Sequence, residues 1–233
     1  MRKHIPNTLT LLNLVSGCIA AIHAFEGDFT GVVIWVLAAA IFDFLDGFAA
    51  RILKVPSPIG KELDSLADIV SFGVAPAIAV FILLRSCSLY PEFLQPAEAC
   101  IPYIAFVIPA FSALRLAKFN LDERQTTSFI GLPTPANALF WISYCYGLQN
   151  ITPNNSFFIY VTLGFILILS LLMIAEIPMF SLKLKKIGLK GNEKQALLIA
   201  VTMVFLGLWN FAGFAGSILT YIAMSVVAAL LKK

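Results

Sequence analysis

The sequence predicts an all-α fold, a polytopic transmembrane helical bundle of about eight spans with both termini on the cytoplasmic side. Three observations predict it. Hydrophobic residues make up 60% of the 233 and charged residues only 12%, where a soluble domain carries about 25% charged residues. Apolar windows of the roughly 20 residues needed to cross about 30 Å of hydrocarbon follow one another with short polar gaps. Lysine and arginine gather in alternate gaps, the bias that marks cytoplasmic loops.

The windows run over residues 7–24, 30–53, 62–84, 99–120, 135–148, 157–175, 195–209 and 213–231. The first carries Val15-Ser16-Gly17-Cys18, which looks like a lipoprotein cleavage site. Pro6, Asn7 and Asn13 interrupt it and seven windows follow, so it reads as a retained helix. A loop holding Pro56, Ser57 and Pro58 joins the second window to the third. Cys87 and Cys100 flank the loop before the fourth, and a bridge between them would require an oxidising compartment. With Cys18 and Cys145 they lack metal-site spacing and read as small hydrophobes. The fifth and seventh windows are short for full spans, which leaves a seven-span or re-entrant arrangement open. Asn210 and Gly213 divide the last apolar run. With no repeat, low-complexity tract or soluble linker, residues 1–233 read as a single membrane domain.

The charge distribution tests this topology. With an even number of spans and both ends inside, Arg2, Lys3, Arg51, Lys54, Lys61, Arg115, Lys118, Arg124, Lys183, Lys185, Lys186, Lys190, Lys194, Lys232 and Lys233 fall on the cytoplasmic side, and only Arg85 falls outside. The outer loops hold Glu26, Asp28, Glu92 and Glu98. The net charge of +3 is therefore topological, and no nucleic acid partner is expected. The basic run 183–194, interrupted by Glu193, reads as an interfacial anchor for anionic lipid.

Four aspartates break the apolar pattern. Each costs about 2.5 to 3.5 kcal/mol near the middle of a span unless compensated. At about 100° per residue, Asp43, Asp46, Gly47, Ala50 and Arg51 fall within a sector of roughly 140° on the second helix. On the third, Gly60, Asp64 and Asp68 follow at four-residue steps, one turn above another. Asp43 lies about 13 residues, or roughly 20 Å of rise, from the outer end of its span, which puts the cluster in the cytoplasmic half of the bilayer. Converging carboxylates with no histidine among them suit a hard cation, Mg²⁺ or Mn²⁺ with Ca²⁺ also fitting, and not zinc. Two other readings stay open: a metal-free network with Arg51 and Lys61, and a proton or sodium pathway. Gly47 and Gly60 leave room for a ligand near the backbone, or for tight helix packing.

The pattern Asp43-x2-Asp46-Gly47-x2-Ala50-Arg51-x8-Gly60-x3-Asp64-x3-Asp68 resembles, without a gap, the signature of the CDP-alcohol phosphatidyltransferases. The resemblance implies an integral membrane enzyme that breaks the pyrophosphate of a CDP-linked lipid or alcohol, joins phosphate to a hydroxyl and releases CMP. It implies that Asp43, Asp46, Asp64 and Asp68 bind one or two divalent ions, with Asp68 also the catalytic base. It implies that Gly47, Ala50, Arg51, Ser57 and Gly60, with Asn7, hold the CDP-lipid. Residues 1–150 would form the catalytic core and 151–233 additional transmembrane helices.

Further stretches resemble the serine-specific branch of that family: Pro6-Asn7-Thr8-Leu9-Thr10-Leu11-Leu12-Asn13, Ile69-Val70-Ser71-Phe72-Gly73-Val74-Ala75-Pro76-Ala77, Ala113-Leu114-Arg115-Leu116-Ala117-Lys118-Phe119-Asn120 and Phe129-Ile130-Gly131-Leu132-Pro133-Thr134-Pro135-Ala136-Asn137. They cover about the first 140 residues. The resemblance implies CDP-diacylglycerol and L-serine as substrates, a lipid environment, a homodimer, and a bacterial inner membrane location with the active site facing the cytoplasm. Arg115 and Lys118 would meet a phosphate or the serine carboxylate at the cytoplasmic mouth, or would merely follow the positive-inside rule. Glycerol phosphate, inositol phosphate or another alcohol is the rival acceptor, and a non-catalytic ion carrier is the rival from another class.

Overall fold

The computed structural model describes residues 4–55, 57–87, 90–121, 129–149, 157–180 and 192–231. Arg2, Lys3, Pro56, Arg124, Lys183, Lys185, Lys186, Lys190, Lys232 and Lys233 of the sequence reading lie outside the described residues. Besides a short 3-10 helix at Glu92–Ala97, eight long helices occur among those described: α1 (His4–Phe25), α2 (Phe29–Leu53), α3 (Pro58–Arg85), α4 (Ile101–Leu121), α5 (Thr134–Leu148), α6 (Phe157–Ile174), α7 (Glu193–Trp209) and α8 (Gly213–Leu230). Each corresponds to one apolar window of the sequence.

Six stretches are long and apolar enough to cross a membrane. Helix α5, with 15 residues, rises only about 22 Å. Residues Glu193–Leu230 form one apolar run of 38 residues, broken where Asn210 takes φ 50° and ψ −140°. The largest boundary difference is at α3, which begins at Pro58 and not at residue 62: the Ser57 side chain accepts from Gly60 N–H at 3.4 Å, and Pro58 occupies the first turn, where no N–H is needed. Helix α2 is similarly capped, with the Asp28 side chain accepting from Gly31 N–H at 3.0 Å.

Hydroxyls along the helices bond back to carbonyls four residues earlier, as Ser16 does to Leu12 at 2.8 Å and Ser112 to Ile108 at 2.8 Å. This satisfies them without water. All four cysteines are free. Cys87 is buried and Cys100 exposed, so the bridge left open by the sequence is not formed.

Helix α3 runs through the centre. Its second half buries Ala75, Ala77, Ala79, Val80 and Leu84 completely against α1, α2, α5 and the start of α4. Between its halves, Ile69–Val74 widens into a π-helix, with Ala75 N–H reaching back five residues to Val70 O. Such turns occur mostly at functional sites. Helix α1 crosses close beside it: a Cβ on Gly17 would lie 2.7 Å from Ser71 Cα, so only glycine fits. Helices α7 and α8 pack on each other, and α8 packs on α5. Helix α7 leaves Leu197, Ile199, Met203, Val204 and Leu208 exposed, as a lipid-facing surface requires.

A two-residue antiparallel ladder, β1 (Phe129–Ile130) with β2 (Pro178–Met179), ties the entry to α5 against the exit of α6. Gly131 follows at φ 75°, its N–H on Ile177 O at 2.9 Å. A Cβ there would lie 3.1 Å from the carbonyl oxygens of Leu172 and Ala175. This turn sets Thr134 at the head of α5.

Candidate active site

The four aspartates meet where the helical periodicity placed them, but not as one symmetrical cluster. Asp43 on α2 and Asp64 and Asp68 on α3 each offer a carboxylate oxygen within 4.8 Å of the others. Asp46, only 6% exposed, stands apart from this trio and accepts from the Thr10 hydroxyl at 2.5 Å. Among the described residues none of the four forms an ion pair with lysine or arginine. The Lys61 ammonium instead donates to Asn120 O at 2.9 Å. Asp64 Oδ1 is buried with no hydrogen-bond partner. Three crowded carboxylates and an orphaned oxygen, with only oxygen donors around, fit a hard divalent cation.

Helix α1 is the third wall. Asn7, Thr10, Asn13 and Gly17 lie on one face at three- and four-residue steps. Asn13, fully buried, donates its side-chain amide to Asp68 Oδ1 at 3.2 Å, while its backbone carbonyl accepts from the Ser71 hydroxyl at 2.9 Å. Asn13 of α1, itself held by Ser71 of the π-helix, therefore positions Asp68. Thr10 was missing from the sequence-predicted site, although its three-residue spacing from Asn7 and Asn13 places it on their face.

Next to the trio a cavity of about 270 Å³ opens among the ends of α1, α2 and α3. Its walls include Asn7, Gly47, Ala50, Ser57 and Gly60, five of the six residues expected to hold the CDP-lipid, with Asp46, Asp64 and Lys61. A Cβ on Gly60 would lie 3.3 Å from Asn7 Oδ1, so the missing side chain keeps the α1–α3 gap open. Arg51, the sixth, is exposed, and its guanidinium lies 3.5 Å from the place a Gly47 Cβ would occupy.

The basic pair on α4 divides. Arg115 is 7% exposed, donates to the Thr134 hydroxyl at 3.1 Å and lies over the Phe119 ring at 5.2 Å. Lys118 is exposed. Asp68 and Tyr221, the latter on α8, are within electrostatic reach of Arg115. The Tyr221 hydroxyl donates to Phe180 O at 3.1 Å. Nothing in the amino-acid pattern signals that so late a helix approaches the site. Asn120, donating to the Ser65 hydroxyl at 2.8 Å, was likewise not singled out.

A family profile described as CDP-alcohol phosphatidyltransferase matches residues 3–229. The chain belongs to the CDP-alcohol phosphatidyltransferase family. The match extends beyond the first 140 residues, where the quoted motifs lie, to helices α6 to α8. Among similar CDP-alcohol phosphatidyltransferases, a protein of Bacillus subtilis strain 168 is 32% identical over 179 residues, covering 75% of this chain and 89% of that one. One of Helicobacter pylori strain J99 is 33% identical over 208 residues, 87% of this chain and 80% of its own. One of Methanocaldococcus jannaschii is 36% identical over 174 residues, 74% and 72% respectively. Each bears the name CDP-diacylglycerol–serine O-phosphatidyltransferase. As a CDP-alcohol phosphatidyltransferase the chain is a membrane-embedded transferase.

Proposed function

We propose that this enzyme transfers a phosphatidyl group from CDP-diacylglycerol to the hydroxyl of L-serine, giving phosphatidylserine and CMP. The observation that carries the reading is the Asp43, Asp64 and Asp68 trio, whose Asp64 lines, together with Asp46, a glycine-walled cavity at the helix ends. The names of the relatives support serine as the acceptor.

Asp43, Asp64 and Asp68, with Asp46 beside them, would hold one or two Mg²⁺ or Mn²⁺ ions, or Ca²⁺. Such an ion offsets the charge of a diphosphate and stabilises CMP as a leaving group. Gly47, Ala50 and Gly60 let the diphosphate approach the backbone, and Asn7, Ser57 and Arg51 flank it. The serine oxygen bonds to the lipid-side phosphorus, the bond from that phosphorus to the CMP oxygen breaks, and the hydroxyl proton passes to Asp68. Asn13 orients the Asp68 carboxyl through Oδ1 and leaves Oδ2 as the proton acceptor. No serine, histidine or cysteine nucleophile belongs to the signature, which favours a single displacement.

Arg51, Lys54, Lys61 and Lys118 fall at the site end of the helices, and Glu26, Asp28, Glu92 and Glu98 at the other. The positive-inside bias makes the site end cytoplasmic, with a bacterial inner membrane as the location. The acyl chains stay in lipid while serine enters from water, and the chain works as a homodimer in a single membrane domain, its core in 1–150.

The test is purified protein with CDP-diacylglycerol and labelled serine. CMP release that requires both serine and a divalent ion upholds the reading. Release only with glycerol 3-phosphate transfers it to that acceptor, and ion flux without CMP overturns it.

A further inference from the structure

At the end of the bundle opposite the aspartates, where α3 finishes and α4 begins, lies a second cavity of about 320 Å³. Arg85, in the last turn of α3, is roughly 25 Å of helical rise from Asp68. The cavity is therefore no part of the site described above. Small-molecule sites occupy roughly 300–1,000 Å³, so it is large enough to hold a ligand. Its walls include Phe81, Arg85, Tyr90, Glu98 and Tyr103. Phe81 and Arg85 are four residues apart and share one face of α3, and the guanidinium carbon stands 6.0 Å from the centre of the Phe81 ring. Tyr103, in the first turns of α4, packs edge-on against that ring at 5.2 Å. Tyr90 is buried and donates its hydroxyl proton to Leu84 O at 2.8 Å, which leaves the hydroxyl oxygen able to accept.

Two opposite charges line this cavity without meeting. Among the described residues neither Arg85 nor Glu98 forms an ion pair, so the cavity holds a donor for an anion and an acceptor for a cation apart. Arg85 is also the one basic residue that the positive-inside pattern leaves on this side. Topology does not account for it. The depth is that of lipid headgroups: Tyr103 is exposed, and the exposed Phe93 stacks on Tyr160 at 6.2 Å. Aromatic side chains gather in this way at a membrane–water interface.

We propose that this cavity binds the zwitterionic head of a phospholipid that carries a phosphodiester and a primary ammonium, as phosphatidylethanolamine does, in the leaflet opposite the catalytic site. The Arg85 guanidinium donates to the phosphodiester as a planar fork. The ammonium donates to the Glu98 carboxylate and the Tyr90 hydroxyl oxygen, with the Tyr103 ring beside it. Phosphatidylglycerol supplies the phosphate but no cation, and leaves Glu98 beside an anion. Phosphatidylcholine has a cation with no N–H to donate. The free headgroup offers the same polar atoms, but the aromatic residues at headgroup depth point to the lipid.

The experiment takes the purified chain in detergent, with neither CDP-lipid nor acceptor present, and adds phosphatidylethanolamine, phosphatidylglycerol or phosphatidylcholine of the same acyl chains. Native mass spectrometry measures retained lipid, and thermal melts follow the stabilisation that a ligand of the folded chain confers by mass action. Lipid held at the aspartate site is common to wild type and variants and cancels in the comparison. Wild type should retain the ethanolamine lipid about tenfold more tightly than the other two, as expected for hydrogen bonds to charged groups. Glu98→Gln should remove that preference and leave phosphatidylglycerol bound as before, whereas Arg85→Gln should weaken all three lipids. The double variant Arg85→Glu with Glu98→Arg keeps both charges in the cavity and should regain part of the preference, which a mere loss of fold would not allow. Equal retention of the three lipids by wild type, or a preference untouched in both single variants, overturns the inference. Displacement of the lipid by an equal concentration of glycerophosphoethanolamine assigns the cavity to the soluble headgroup and overturns it too. With no substrate present, none of these outcomes depends on the acceptor proposed above.

Discussion

Asn13 and Asp68 are joined across the α1–α3 contact by a 3.2 Å hydrogen bond between two buried side chains, with the Asn13 amide donating. The bond leaves one carboxylate oxygen of Asp68 for other work. Hydrogen bonds to a charged group contribute about 1.5–3 kcal/mol. Replacing Asn13 with Leu should lower kcat roughly 10- to 100-fold and leave the KM for CDP-diacylglycerol little changed. Steady-state assays that show full turnover would detach Asn13 from the chemistry.

Asp68→Asn keeps the shape of the side chain and removes the proton acceptor. Turnover should drop by about 10² or more while CDP-lipid binding persists, as measured by CMP release alongside equilibrium binding of the nucleotide lipid. Asp43→Asn should instead weaken the divalent-ion titration and CDP-lipid binding together. A normal metal titration in that variant would count against its place as a ligand.

Chelation should act on stability as well as on rate. With Asp43, Asp64 and Asp68 within 4.8 Å of one another, an ion that binds only the folded chain stabilises it by mass action. Chelator should abolish CMP release and lower the melting temperature, and Mg²⁺ or Mn²⁺ should restore both. Activity that survives exhaustive chelation would refute the cation requirement.

Gly17→Ala should be costly out of proportion to one methyl group. Its Cβ would meet Ser71 Cα at 2.7 Å, so α1 must back away from the π-helix, at about 1–3 kcal/mol for an overpacked contact. The same movement pulls Asn13 from Asp68. Thermal melts and kcat should therefore fall together, and loss of stability alone would show that the α1 crossing does not govern the site.

At the far end of the bundle, Asp28 bonds the Gly31 N–H, which is the main reason its carboxyl sits below the ordinary aspartate value; partial burial works against this and His23 adds to it. A depressed folded-state value means that the stabilisation is complete above the unfolded value of about 3.9 and is lost as pH falls through the folded one. Asp28→Asn should melt lower than wild type near neutrality, and the gap should close in acid. Melting curves at several pH values would show a constant gap if the charge is irrelevant.

The eight apolar windows and the carboxylate faces were legible because both depend on helical periodicity alone. Asp64 and Asp68 are four residues apart, and no fold of the rest could separate their faces. Asp46 departs from the trio for a reason outside its own helix: the Thr10 hydroxyl on α1 claims it. The π-helix leaves no mark in Ile69–Val74, which reads as any apolar span. Tyr221 escaped notice because its relation to the site depends on how α8 packs, and Arg115 separated from Lys118, on the same face one turn away, because Arg115 lies deeper and is held by Thr134 while Lys118 sits in the last turn of α4. The start of α3 at Pro58 was recoverable from Ser57 and Pro58 as a capping pair.

The wide turn in α3 also sets a phase between two lengths of rod. Upstream of it the carboxyl groups face α2, and downstream the alanine-rich half is keyed into its neighbours. Were all six residues of 69–74 wound as ordinary α-helix, the acids would swing by about 100° relative to the anchored half. The wider winding of this hexapeptide therefore holds the angular offset between the two.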